Sequence, residues 1–223
     1  MTRFIPRVVV CFAFSLSAAL AAGPPAGSAA APAAHPAHAA ARPAAHPAAG
    51  VSEPEGYWSG DINAPVPASI HGGKVIHAEQ LGNLVVAGTA VIVDVSNAPT
   101  RPADLAPEAP WMPPFHRGIP GALWIPGVGL GTLPDAADAY FRDRLAALTG
   151  KDLSKPIVVY CHERCWLSWN AAKRAIGYGY THVSWFPEGI EGWRKTGMAT
   201  GELQPEKVPH ESAPAQEGAS GTG

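Results

Sequence analysis

Three short, unbroken apolar runs, AVIVDV (90–95), PIVVYC (156–161) and THVSWF (181–186), recur between segments of helical periodicity, and no other feature limits the fold so tightly. A β-branched run without polar alternation has no face to offer water, so each reads as a strand buried on both sides. KVIHA (74–78) is a shorter strand leading into the helical AEQLGNLVVAG. After a proline-rich loop comes DAADAYFRDRLAALTG, with Asp135 as expected N-cap and Gly150 as stop; Ala137, Tyr140, Phe141, Arg144, Leu145 and Leu148 share one mostly apolar face. SWNAAKRAIGYG and EGIEGWRKTG supply two more helices. Strand and helix in alternation predict an α/β domain of three layers, a mostly parallel central sheet with helices on both faces.

The flanks read differently. The opening MTRFIPRVVVCFAFSLSAALAAG has basic residues, an apolar run over 8–20 and small residues after it, the layout of a secretory signal peptide over 1–22. That run is short of the roughly 20 residues of a membrane span, and no later segment comes close. The expected product is a soluble periplasmic or secreted protein with no membrane span after signal removal, an uncleaved anchor being the alternative. Cys11 lies inside the apolar run, away from any lipid-attachment point. Residues 23–51 are Ala, Pro, Gly and His in irregular repeats that cannot bury a core; we read a disordered linker, with His35, His38 and His46 solvated. Residues 52–73 are expected to pack on the domain as an N-terminal extension, 74–201 form the domain, and 202–223 read as a disordered tail. With 16 basic and 18 acidic residues and no basic stripe, nucleic-acid binding is excluded.

Past the leader, the cysteines are Cys161 and Cys165, in YCHERCWLSWNAAKR. Cys161 ends a strand and precedes a helix whose expected cap is Ser168, and ligands of parallel sheets collect at such junctions. A loop HERCWL that curls back would aim backbone N–H groups at the Cys161 sulfur, and this nest with the helix's positive end would stabilise a thiolate or a bound anion. Cys161 is therefore the candidate nucleophile, with His162, Glu163, Arg164, Trp166, Leu167 and Ser168 as the surrounding anion-binding loop. Trp166 and Trp169 wall a pocket or belong to the core. Trp124, Trp185 and Trp193 fit the core.

These segments together resemble a rhodanese-type domain over roughly 74–201. VIVDV is similar to the family's strand ending in Asp, here Asp94. HRGIPGALWIP, headed by His116, is similar to its His-Ile-Pro-Gly-Ala run with two residues inserted. IVVYC, the loop and NAAKRA resemble the active-site strand, loop and helix, and FPEGIEGW the closing motif. More narrowly, EGYWSGDINAPVPASIHGG, IPGALWIPGVGLGTL and YCHERCWLSWNAAKRA resemble a rhodanese-like family with a C-x-x-x-C-W motif associated with alcohol catabolism dependent on pyrroloquinoline quinone (PQQ). That resemblance implies export and a supporting role near a periplasmic quinoprotein dehydrogenase, its candidate partner.

The chain departs from the rhodanese pattern in the loop. Ser168 matches the family's Ser, but Leu167 stands in place of its Arg and the loop is one residue longer. That length is the one seen in phosphatases of this fold, yet Leu167 cannot hold an oxyanion, so phosphatase activity is not expected. Arg164 either substitutes for the missing guanidinium or faces solvent. Ser96 stands where Arg often follows the Asp, and Pro187-Glu188 where Glu-Gly is usual.

Three chemistries suit the pair. Cys161 can carry a persulfide between a sulfur donor and a thiol acceptor; the two can cycle between dithiol and disulfide, with Cys165 resolving; or both can bind Cu(I) with His162. No other cofactor is expected, because C-x-x-C-H and a second cysteine pair are missing. The bland reading is a disulfide stapling one loop. The rival class is a non-catalytic accessory or metal-delivery module that binds a periplasmic dehydrogenase. The long loop 96–115 either covers the cysteine pocket, meets a partner, or is anchored on the core by Trp111, Met112 and Phe115. His116 reads as structural, and Asp94 as bracing neighbouring backbone or an arginine.

Overall fold

The computed structural model describes residues 50–209. The expectations of a leader, a linker and the far end of the tail lie outside these residues. In chain order the elements are β1 (Lys74–Val75), α1 (Ala78–Ala87), β2 (Val91–Asp94), β3 (His116–Gly118), β4 (Leu123–Trp124), α2 (Asp135–Thr149), β5 (Ile157–Tyr160), α3 (Trp166–Gly177), β6 (Val183–Phe186), α4 (Gly189–Lys195) and β7 (Gly201–Leu203). Five strands form one sheet in the order β1-β6-β5-β2-β4, every pairing parallel, and β3 and β7 make a separate antiparallel pair. The expected α/β architecture is the observed one.

The two-residue period of β5 divides the core. Ile157 and Val159 face α2 and α3 with Phe141, Leu145 and Trp169; Val158 and Tyr160 face α1 and α4 with Leu81, Ile190 and Trp193. Every residue of β5 is inaccessible, which is why PIVVYC shows no alternation. Among the described residues no helix is long and apolar enough to cross a membrane.

Three boundaries differ from expectation. Pro134, not Asp135, caps α2, and its carbonyl takes the amides of Ala137 (2.9 Å) and Asp138 (3.0 Å). Proline's fixed φ and extended ψ set the entry, leaving Asp135 in the first turn near the helix's positive end. Gly150, at φ 64°, ends α2 as expected. Helix α3 begins at Trp166 with Cys165 as N-cap, so Ser168 lies inside it. The Ser168 hydroxyl donates to the Cys165 carbonyl (2.9 Å) and accepts from Trp185 Nε1 (3.0 Å), while the Trp166 amide finds Ile62 O (3.0 Å). The helix could start earlier because a distant segment satisfies its first amide.

That segment runs along α3. Trp58 exchanges backbone hydrogen bonds with the Asn170 amide (2.9 Å each), Lys173 Nζ donates to the carbonyls of Pro54 and Glu55 (2.7 Å each), and Trp169 Nε1 reaches Ser69 O (3.1 Å).

The expected tail also starts too early. Glu202 and Leu203 complete β7, Val208 is buried, and the Glu206 carboxylate takes the Arg144 guanidinium and the Tyr140 hydroxyl. Its own composition could not show this, since the partners lie on α2. In the loop after β2, the Arg101 guanidinium donates to carbonyls of Ala106, Pro107 and Ala109. Met112 and Phe115 are 85% and 80% exposed, so they do not anchor this loop on the core.

Candidate thiol site

Cys161 directly follows β5 and Cys165 opens α3, so strand and helix directions determine where the thiols stand. The turn between them passes through Arg164 at φ 55°, a left-handed conformation that reverses the chain in few residues. Neighbouring segments tie the turn down. Ile190 N donates to Cys161 O (2.9 Å), Arg164 N to Pro187 O (3.1 Å), and Glu163 N to the Glu191 carboxylate (2.8 Å). Gly189, at φ 58°, is pressed against this turn, and a Cβ there would lie 2.3 Å from the His162 carbonyl carbon. The Sγ atoms of Cys161 and Cys165 and a ring nitrogen of His162 consequently all lie within 4.8 Å of one another. Both cysteines are free and fully buried.

Burial pushes the Cys161 thiol well above its ordinary value, its hydrogen bond to Cys165 adds to this, and the Ser96 hydroxyl and His162 amide offset part of it. Cys165 moves the other way, down to about 5, chiefly because the Cys161 thiol donates to it and, against burial, because His162 does too. The Leu167 amide adds a weaker pull, short of a full capping hydrogen bond. The contact with Cys165 raises the His162 imidazole, against its own desolvation. The two thiols are hydrogen-bonded to each other, and His162 with the helix's positive end favours a thiolate on Cys165. The structure thus brings both thiols of the sequence-predicted pair together, burial opposing ionisation of Cys161 and the contacts of Cys165 favouring it there.

The amide nest forms only in part, from His162 N at Cys161 and Leu167 N at Cys165. Glu163 N, Arg164 N and Trp166 N all donate to acceptors elsewhere in the protein. The remainder of the predicted anion loop is dispersed. Arg164 faces solvent. Leu167 is buried, its carbonyl so close to Gly129 that a Cβ there would lie 2.2 Å from it. Trp166 is core, stacked on Trp58 (4.5 Å, 12°) and edge-on to Trp169 (5.4 Å). Ser168 is interior, and the Glu163 side chain pairs with Lys195 (3.4 Å). Of that set, His162 alone has a side chain joined to the thiols.

A hollow of about 420 Å³ adjoins the site, lined by Ser96, His116, Arg117, His162, Glu191 and Arg194 among others. Behind its wall the fully buried Asp94 holds His116 Nε2 at 2.8 Å and takes the Ser96 amide at 2.9 Å, while the His116 ring stacks on Trp124 (4.0 Å). Asp94 braces backbone as expected, but its side-chain partner is His116 rather than an arginine. A larger hollow of about 550 Å³ lies at the opposite, amino ends of β5 and β6, beside Lys74, Pro156 and His182. It contains no thiol, and in parallel sheets the reactive groups gather at the carboxyl ends. Sequence reasoning missed Glu191 as acceptor for the loop and Ser96 as a partner of Cys161. Both lie in segments that the motifs contain, FPEGIEGW and the residues after VIVDV.

Fold and site together define a rhodanese-type domain with a paired thiol. The chain belongs to the rhodanese-like domain family, whose pattern it matches over residues 77–196. Among solved structures it is similar to a thiosulfate sulfurtransferase from Pseudomonas aeruginosa (22% identity, 63% of this chain and 22% of that one, TM-score 0.39). It is also similar to the human single-domain sulfurtransferase TSTD1 (22% identity, 54% and 95%, TM-score 0.34). A third is the 3-mercaptopyruvate sulfotransferase SseA from Escherichia coli (17% identity, 60% and 53%, TM-score 0.39). The chain spans about a fifth of the Pseudomonas protein's length. No curated protein matches it.

Proposed function

We propose that this is an exported rhodanese-like protein whose Cys161 and Cys165 carry out thiol–disulfide or sulfur-transfer chemistry in support of a PQQ-dependent alcohol-oxidising system. The observation that carries the reading is the buried, proton-sharing thiol pair with its His162 contact. In sulfur transfer, the Cys165 thiolate attacks the sulfane sulfur of a donor such as thiosulfate; a sulfur–sulfur bond forms, the donor's own breaks, and sulfite leaves with the electron pair. Cys161 then loses its proton and attacks Cys165, forming the disulfide and releasing hydrosulfide. With Glu163 N, Arg164 N and Trp166 N committed elsewhere, the His162 and Leu167 amides are what remains of the loop to hold a persulfide, which favours quick resolution and disulfide exchange over sulfur storage.

Export is supported by the leader-like MTRFIPRVVVCFAF, and the quinoprotein connection by the C-x-x-x-C-W resemblance. The exposed Phe115 at the hollow's edge, with the exposed Met112 nearby in the chain, offers an apolar contact for a partner dehydrogenase. The test is intact mass before and after incubation with thiosulfate, a persulfide donor or a small disulfide, with peptide mapping over 160–174. Cys161→Ser should accumulate an adduct on Cys165. An adduct on Cys161 in Cys165→Ser and none in Cys161→Ser would reverse the order of attack, and no adduct in any form would end the reading.

A further inference from the structure

The same triad has the makings of a metal centre. Three donor atoms lie within 4.8 Å of one another: two sulfurs and one imidazole nitrogen. Bond lengths of about 2.0–2.3 Å, usual for imidazole and thiolate donors, place the donors of a trigonal ion about 3.5–4 Å apart. A contraction of at most about 0.8–1.3 Å would close the triangle. The group includes no carboxylate oxygen. Two thiolates and one imidazole, with no fourth His, Cys, Asp or Glu in the group among the described residues, suit a soft ion of low coordination number, whereas Zn²⁺ in a structural site takes four ligands.

The loop itself offers little to an anion. The arginine that the loop would need for an anion is missing: Arg164 faces solvent, Leu167 is core, and the amides of Glu163, Arg164 and Trp166 point away to other acceptors. The turn is held rigid by Ile190, Pro187 and the close approach of Gly189, so the donors need little ordering. Both sulfurs are closed to water, while His162 is half-buried on the hollow and supplies a way in. Arg117 and Arg194 on the hollow's wall are countered in part by Glu191.

We propose that Cys161, His162 and Cys165 form a trigonal site for a single Cu(I) ion. Binding displaces the proton held between the two thiols, and the N–H that His162 directs at Cys165 moves to the other ring nitrogen or to solvent; no electron moves. The loaded form and the disulfide are mutually exclusive, because both use the same sulfur electron pairs. The proposal does not rest on turnover, which the mass experiment reads separately on metal-free protein.

The experiment is anaerobic competition of the fully reduced protein against the Cu(I)–bicinchoninate complex, followed by X-ray absorption on the loaded form. The wild type should withdraw one equivalent and show two sulfur scatterers and one nitrogen. His162→Ala should bind at least about tenfold more weakly, and Cys161→Ser and Cys165→Ser should each withdraw none. Loaded wild type should also resist diamide oxidation to the disulfide, a readout free of any folding defect in the variants. No withdrawal by the wild type, undiminished binding by His162→Ala, or displacement of the ion by equimolar Zn²⁺ would overturn the assignment.

Discussion

Two loops leave the carboxyl ends of adjacent strands and are held in opposite ways. The turn after β5, 161–165, is short and tied outward: its amides and carbonyls are paired with Pro187, Ile190, Glu191 and, just beyond, Ile62. The stretch after β2, 96–115, is long and tied inward by Arg101 to its own carbonyls, with Met112 and Phe115 left in water. The first can hold three reactive atoms in place because surrounding elements determine its shape. Beyond Ser96, whose hydroxyl reaches Cys161, the second can change without disturbing them. Chemistry sits on the loop whose hydrogen bonds belong to the rest of the molecule.

Gly189→Ala should break this contrast most severely. A side chain at φ 58° that meets the His162 carbonyl carbon at 2.3 Å combines left-handed strain with overpacking, together about 2–5 kcal/mol. Denaturant unfolding checks the loss, and thiol labelling of the folded variant should be faster. A change below about 1 kcal/mol would mean that α4 does not brace the thiols. Trp58→Ala comes next. It removes the ring stacked on Trp166 at 4.5 Å and should cost about 2–4 kcal/mol, measured in the same way, with easier alkylation of Cys165.

His162→Ala tests electrostatics rather than packing. Cys165 lies low, at about 5, so in the wild type the rate of thiolate alkylation should stay level from neutral pH downward and fall only as pH drops through about 5. Removing the imidazole takes away a donor to the thiolate, so the profile should move to higher pH by about one unit, a roughly tenfold loss of rate below the new midpoint. An unmoved profile would leave the helix terminus and Cys161 as the sole causes. The smallest effect belongs to Arg101→Ala, expected to change stability by about 1 kcal/mol or less, since its bonds stay within one loop. Proteolysis over 100–110 should quicken while thiol reactivity is unchanged; slower thiol chemistry would show that the two loops are coupled.

What could be read without coordinates was whatever depends on local pattern. The unbroken β-branched runs, the apolar face of α2 and the stop at Gly150 lie in neighbouring residues, and the helices and strands they predicted are present with small shifts at the ends. The placement of Cys161 at a strand-to-helix junction was legible for the same reason. Legibility ended where a group's partner lies far along the chain. Ser168 looked like a cap until Trp166 found Ile62, the tail looked disordered until Glu206 met Arg144, and the loop looked like an anion nest until Glu191 and Pro187 took its amides.

By itself, then, the sequence determined an α/β domain with two thiols at the carboxyl end of its central strand, because hydrophobic period and residue spacing are properties of the chain. Only the tertiary structure decided how the two sulfurs and His162 meet and where the loop's hydrogen bonds go. Those depend on burial, on the Cys161–Cys165 and His162 contacts, and on which distant acceptors reach the loop first.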